Sequence, residues 1–348
     1  MWFTSDNAAG APPEVLAAVA KAAEGYGMAY GNDPWTERAR AAIRDAFEAP
    51  EASVHFVATG TGANSLALGC LCPPWGAVYC ERAAHVEVDE CGGPEFFIGG
   101  GKLALIEGDH GKMSPEALSH AIEGAPTGDV HSIQPAAVSI TQATEAGTLY
   151  TVDEVRALAA IAKAANLPVH MDGTRFANAL ATTSATPAEM SWKAGVDVLC
   201  LGFTKNGALA AEAIIVFDPA KDWELQLRRK RGGHLFSKMR FVTAQVDAMM
   251  EGDLWLRLAA HANDMAARLA NGLRDIEGID LVHPVDANLM FARVPNEKIE
   301  AARAKGAMFY DMPDAPGAAP YGKTMIRLVC SFQTQVNDVD GLLAAFAP

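Results

Sequence analysis

The strongest constraint in this sequence is an alternation. Seven short apolar runs, Val54 to Ala58, Ala77 to Cys80, Leu103 to Ile106, Ala136 to Thr141, Leu167 to Met171, Val196 to Leu201 and Ala213 to Phe217, are separated by longer stretches of helical pattern. Strand, helix, strand in repetition folds into a mostly parallel sheet with helices on both faces. The expected fold class is therefore α/β, built on a seven-stranded sheet. Ahead of it, Pro12 and Pro13 open a helical run to about Gly25, and Trp35 to Glu48 carries a second, with Tyr30-Gly31-Asn32-Asp33-Pro34 as the loop between them. After Gly232-Gly233 a long helical stretch runs to about Leu273. The remainder mixes strands at Asp280 to His283, Leu289 to Val294 and Met325 to Cys330 with helices at Glu297 to Lys305 and Val336 to Phe346. Its Pro- and Gly-rich segment Asp311 to Tyr321 reads as a loop. Two domains follow: residues 1–245, an N-terminal segment with the large sheet, and residues 246–348, a long helix with a small C-terminal α+β domain.

Composition narrows the function. With 28 Lys and Arg against 42 Asp and Glu in 348 residues, the net charge of −14 repels nucleic-acid backbones and anionic lipid. The chain has no Lys or Arg in Met1 to Gly10, and no uncharged window near the ~18 residues a spanning helix requires. The six cysteines, Cys70, Cys72, Cys80, Cys91, Cys200 and Cys330, lie scattered, and Cys70 and Cys72 are too close for a CxxC site. The expectation is a cytoplasmic protein with reduced thiols, acting on a small molecule and using no metal, nucleic acid or membrane. One dense positive run, Arg228-Arg229-Lys230-Arg231-Gly232-Gly233-His234, stands against the acidic background; nucleic-acid binding is its naive reading and a solvated helix end the plainer and favoured one.

Three strand-end features carry chemistry. Val57-Ala58-Thr59-Gly60-Thr61-Gly62-Ala63-Asn64-Ser65 is a strand end, a glycine-rich turn and a helix start, where free backbone N–H groups and the helix dipole favour an anion such as phosphate. Glu81, about 20 residues further on at another strand end, allows a dinucleotide reading, although Ser65 stands where that fingerprint has its third glycine. His170-Met171-Asp172-Gly173-Thr174-Arg175 sets Asp172 at the exit of the Leu167 strand, either as a ligand carboxylate or as a helix cap. Phe203-Thr204-Lys205-Asn206-Gly207 sets Lys205 past the Val196 strand, where a lysine is solvated unless burial activates it. Together these are the groups pyridoxal 5'-phosphate requires: an anion cradle, a carboxylate for the pyridine nitrogen and an amine for the aldehyde.

At these residues the sequence resembles the low-specificity L-threonine aldolases, within the fold-type I pyridoxal-phosphate enzymes related to β-eliminating lyases. The matching stretches are Ser5-Asp6-Asn7, Tyr30-Gly31-Asn32-Asp33-Pro34, Thr59 to Asn64, Ala83-Ala84-His85 with Glu90-Cys91-Gly92-Gly93, His170 to Arg175, Thr204-Lys205 and Arg327-Leu328-Val329, in the family's order. The resemblance implies that Lys205 holds the cofactor as a Schiff base, Asp172 pairs with the ring nitrogen, and Gly60 and Thr61 bind the phosphate. It implies that His85 stacks on the ring near the substrate hydroxyl, and that His131 is a second active-site histidine; either would be the general base. Ser5, Arg175 and Arg327 match residues around the substrate carboxylate, and Arg175 also borders the cofactor. Arg229 or a neighbour in its run matches a residue reaching a cofactor phosphate, in this subunit or the adjacent one, and Tyr30 one lent across a subunit interface, which implies a dimer or tetramer with shared active sites.

The implied activity is reversible aldol cleavage of L-threonine, L-allo-threonine or a related β-hydroxy-α-amino acid to glycine and an aldehyde. Another pyridoxal-phosphate lyase or an aminotransferase is the alternative. Two departures touch the substrate pocket: Gln142-Ala143-Thr144-Glu145 replaces the family's Glu-Asn-Thr-His, and Thr204-Lys205-Asn206-Gly207-Ala208 replaces its Ser/Thr-Lys-Gly-Leu-Gly.

Overall fold

In the computed structural model, which describes residues 1–313 and 321–347, all seven apolar runs are strands. They are β1 (Ser53–Val57), β2 (Gly76–Glu81), β3 (Lys102–Ile106), β4 (Gln134–Thr141), β5 (Val169–Gly173), β6 (Val198–Gly202) and β7 (Glu212–Val216). They form one sheet in the order β1-β7-β6-β5-β4-β2-β3. β2 to β6 run parallel, and β7 pairs antiparallel with both β6 and β1. The central strands β5, β6 and β7 are buried along their whole length, which is why they read as continuous apolar runs. Their side chains alternate between two cores. Leu199, Leu201, Ala213 and Ile215 join Phe56, Met171 and Phe176 on one face, while Val198, Cys200, Ile214 and Val216 join Val57, Leu66 and Leu68 on the other.

Two N-terminal helices, α1 (Pro13–Ala22) and α2 (Pro34–Ala46), each start with proline at the first helical position, where its missing N–H costs nothing. Pro34 therefore belongs to α2 rather than to the loop before it. Asp33 caps that helix, accepting from the Thr36 N–H at 2.9 Å. Helix α3 (Gly60–Leu71) follows β1 directly and is buried continuously from Gly62 to Leu71.

The stretch after Gly233 is not one helix. It divides into Arg240–Met250 and Leu254–Arg274, with Gly252 (φ 57°) and Asp253 (φ 55°) in the left-handed region between them. A domain boundary at 245/246 falls inside the first of these, whose Val242, Val246 and Met249 lie in the large-sheet core. The hand-over occurs along the second: Leu254, Trp255 and Ala259 pack with the large sheet, and Ala266, Leu269 and Leu273 with the small one.

The small sheet is antiparallel, in the order β10-β11-β9-β8, from β8 (Asp280–Leu281), β9 (Leu289–Pro295), β10 (Tyr310–Met312) and β11 (Lys323–Val329). Asp311 and Met312, expected in a loop, lie in β10, while residues 314–320 of that segment fall outside the described residues. The N-terminus joins this unit. Phe3 is fully buried in its core, donates to the Met308 carbonyl at 2.8 Å and accepts from the Val329 N–H at 3.0 Å. Ser5 is thereby carried from the small sheet to the edge of the large one.

Candidate active site

Parallel strands deliver their exit ends to one edge of the sheet, and the site lies there, as in other open α/β folds. The turns after β1, β5 and β6 border a cavity of about 330 Å³, lined by Ser5, Asn7, Ala58, Thr59, Gly60, Thr61, His85, Asp89, Glu145, Thr174, Arg175, Thr204, Lys205, Glu212 and Arg327. Of the residues singled out in the sequence, Ser5, Gly60, Thr61, His85, Arg175, Lys205 and Arg327 meet in this one space.

At the start of α3, the Thr59 hydroxyl accepts from the Gly62 N–H at 3.1 Å, and the Ala63 N–H bonds the Thr59 carbonyl at 3.0 Å. The Gly60 and Thr61 amides are left without an acceptor among the described residues, at the positive end of the helix. A Cβ on Gly60 would lie 3.5 Å from the Thr174 hydroxyl, so the turn meets the exit of β5 closely.

Asp172, 1% exposed, stands on that exit. Its Oδ1 accepts from the Thr174 N–H at 3.1 Å and hydroxyl at 2.7 Å, and its Oδ2 accepts from Asn64 Nδ2 at 3.0 Å. Burial opposes the charge, but neighbouring His85 and the Thr174 donors hold the carboxyl below the usual carboxylate range. Asn64 also donates to Glu90 Oε1 at 2.8 Å, and the same oxygen lies 2.8 Å from His85 Nδ1. A continuous line His85–Glu90–Asn64–Asp172 thus runs under the cavity. Its hydrogen bond to Glu90 raises the pKa of His85 against the opposing effect of burial. Because Nδ1 faces Glu90, Nε2 is the ring nitrogen left to the cavity side, 3.7 Å from Asp89.

Lys205 closes the cavity from the turn after β6. Burial and the adjacent Arg175 guanidinium lower its pKa, which raises the fraction of free amine. Arg175 is itself committed. Its Nε and Nη2 donate to Asp6 at 2.7 and 3.1 Å in a buried bidentate pair, which Asn288 braces at 3.1 Å. Arg327 is freer: Nη2 donates to the Thr4 carbonyl at 3.2 Å, and Nε is buried with no hydrogen-bond partner.

Three residues named in the sequence do not reach this cavity within one chain. His131 is exposed in the turn before β4, at the entry edge of the parallel strands, opposite the site. Tyr30 and Arg229 line a different pocket, of about 460 Å³, with Arg40, Arg44, His55 and Asp222. There Arg229 is 4% exposed, its Nη1 lies 2.9 Å from His55 Nδ1, and its Nε is buried without a partner. Glu81 also stands elsewhere. β1 and β2 are separated by β7, β6, β5 and β4, so no carboxylate on β2 serves a ribose at the Gly60 turn, and the dinucleotide reading fails.

The residues fit pyridoxal phosphate. Two free amides at a helix start suit the phosphate, a buried ionised carboxylate suits the ring nitrogen, and a lysine of lowered pKa lies in the same cavity.

The chain belongs to the beta-eliminating lyase family, which it matches over residues 3–297. Among curated proteins it is 44% identical over 97% of its length to the low specificity L-threonine aldolase of Pseudomonas aeruginosa, covering 94% of that protein. It is also 44% identical to the enzyme of the same description from a Pseudomonas species, over 98% of this chain and 96% of that one. Among solved structures, threonine aldolase from Leishmania major superposes with a TM-score of 0.92 at 28% identity, covering 99% of this chain and 98% of that one.

Proposed function

We propose that this chain is a pyridoxal 5'-phosphate-dependent aldolase that cleaves L-threonine, L-allo-threonine and related β-hydroxy-α-amino acids to glycine and an aldehyde, reversibly. The observation that carries the reading is the convergence of Lys205, Asp172, His85 and the free Gly60 and Thr61 amides at one sheet edge, in a chain so similar to curated threonine aldolases. Bound pyridoxal phosphate supplies an aldehyde that condenses with amines and a ring that takes up the electron pair of a breaking Cα–Cβ bond.

The protein supplies the rest. Lys205 would hold the cofactor through its side-chain amine, in the free form that its lowered pKa favours. Asp172, kept ionised by its neighbours, would pair with the ring nitrogen. Arg327, whose Nε has no hydrogen-bond partner, presents its guanidinium to the substrate carboxylate, and Arg175, fixed by Asp6, borders the same space with Ser5. His85 Nε2 takes the proton of the substrate hydroxyl, with Nδ1 anchored on Glu90 so that the ring keeps one orientation. Glu145 and Asp89 add acidic side chains to the cavity lining.

Tyr30 and Arg229 belong to the same proposal as residues that serve a second copy. They share a basic pocket distinct from the cavity, and Arg229 keeps a buried, unpaired donor there. The working unit is then a homo-oligomer. Among the described residues no helix is long and apolar enough to cross a membrane, and all six cysteines are free, in keeping with a cytoplasmic setting.

The test is product analysis by NMR after incubation with L-threonine. Glycine and acetaldehyde in equal amounts are expected. 2-Oxobutyrate with ammonia would move the enzyme to an eliminating lyase, and a keto acid formed only with an amino acceptor would make it an aminotransferase.

A further inference from the structure

Glu212 lines the active-site cavity, and the roles assigned above leave it without a task. It opens β7, directly opposite Val57 at the end of β1 and Gly202 at the end of β6. The residue therefore stands between the strand ends that lead into the turn Ala58–Gly62 and the turn that carries Lys205, and it lines the same cavity as both. Its Oε2 accepts from the Phe203 N–H at 3.0 Å, with the Thr204 hydroxyl adjacent. The residue is 5% exposed.

The charges facing it are few. On β1, Val57 is apolar, and His55, two residues back, is already committed to Asp222 at 2.6 Å and Arg229 at 2.9 Å. The residues of β6, Val198 to Gly202, and of α3, Gly60 to Leu71, include no Lys, Arg, Asp or Glu. His234 packs against Gly62, so closely that a Cβ there would lie 2.3 Å from its ring, but burial and Arg229 lower its pKa and favour the neutral form. Lys205 is the cation of the immediate surroundings, and Asp172 adds a second negative charge. A phosphate dianion on the Gly60 and Thr61 amides would meet this carboxyl across the same cavity.

We propose that Glu212 is the proton-carrying partner of the cofactor phosphate: binding of a phosphorylated pyridoxal proceeds with a proton held on the Glu212 carboxyl, which then donates to a phosphate oxygen. The proposal rests on the cavity's taking pyridoxal phosphate with its phosphate on the Gly60 turn. Burial pushes the Glu212 pKa up to about 7 even before an anion arrives, so the proton is available near neutrality. The proton moves from solvent to the carboxyl, and no bond to phosphorus forms or breaks. An ionised Glu212 would instead repel the dianion.

The experiment compares pyridoxal phosphate with pyridoxal, which lacks the phosphate, on the cofactor-free full-length protein. Calorimetric titrations at pH 8 in two buffers of different ionisation enthalpy count the protons taken up. The wild type is expected to take up more protons, by close to one, with pyridoxal phosphate than with pyridoxal. Its Kd for pyridoxal phosphate should weaken by up to about tenfold per pH unit above 7 relative to pyridoxal. Glu212→Gln, always a donor, should lose both the extra proton and that slope, whereas Glu212→Asp should keep a titrating response. Equal proton counts for the two ligands in the wild type overturn the proposal without recourse to any variant, as does an unchanged slope in Glu212→Gln. Failure of pyridoxal phosphate to bind, or binding indifferent to Lys205→Ala, overturns the cofactor reading itself and is seen separately, in the absorbance of the bound chromophore.

Discussion

Replacing Asn64 tests the line of polar contacts beneath the cavity. Its single side-chain nitrogen donates to Glu90 at 2.8 Å and to Asp172 at 3.0 Å, and facing oxygens of these two carboxylates lie within 4.8 Å of one another. Two like charges at that distance repel by about 3.5 kcal/mol at an effective dielectric of about 20. Each hydrogen bond to a charged group contributes about 1.5–3 kcal/mol. Asn64→Leu, close in volume, removes both bonds while leaving little cavity, so it should destabilise the protein by about 3–6 kcal/mol near pH 8. The loss must depend on pH. Without the bridging amide one carboxyl binds its proton more tightly in the folded than in the unfolded state, and such a group adds stability as pH falls. The deficit should therefore shrink below pH 8, by up to about 1.4 kcal/mol per pH unit. Urea titrations of cofactor-free wild type and variant at pH 8 and pH 6 give both quantities. A loss under about 1 kcal/mol at pH 8, or an equal loss at both pH values, would show that Asn64 does not bridge two charged carboxylates.

Other residues answer to kinetics. Arg327→Lys should raise KM for threonine by roughly tenfold or more with a smaller change in kcat, since an ammonium does not reproduce the guanidinium fork; an unchanged KM removes Arg327 from the carboxylate site. Because Glu90 holds the His85 pKa above its ordinary value, and a base must be deprotonated to act, the acid limb of kcat/KM should move to lower pH in Glu90→Gln. A limb that stays in place would deny His85 the base role. His131→Asn should leave that limb untouched, and its displacement would show that the exposed turn before β4 reaches an active site in the assembly.

The sheet was legible because a strand buried on both faces has little choice of residue: each apolar run became a strand within a residue or two of its expected ends. What escaped was what lacks that signature. β10 is three residues long and largely exposed at Tyr310 and Asp311. The break at Gly252 and Asp253 is a pair of left-handed residues within a helical pattern that does not falter on either side.

The site divides in the same way. Lys205, Asp172 and the Gly60 turn announce themselves by position, each at a strand exit. His131 lay before a strand, and in a parallel sheet an entry end faces away from the exits, a warning already present in the sequence. The supporting residues meet only through the fold. Asp6 and Arg175 stand 169 residues apart, and Asn64 and Asp172 stand 108 apart. Glu212 immediately precedes the apolar run Ala213 to Phe217 and carries no motif of its own; its burial follows from β7 lying between β1 and β6.

Lys205, at the exit of β6, is the residue proposed to hold the cofactor in the cavity it shares with His85 and Arg327. Borohydride reduction of the pyridoxal-phosphate-loaded enzyme, followed by proteolysis and mass spectrometry, reads this directly. The pyridoxyl group is expected on the peptide containing Lys205, with Lys205→Ala unlabelled. A label on another lysine, or an equal label in Lys205→Ala, would contradict that assignment.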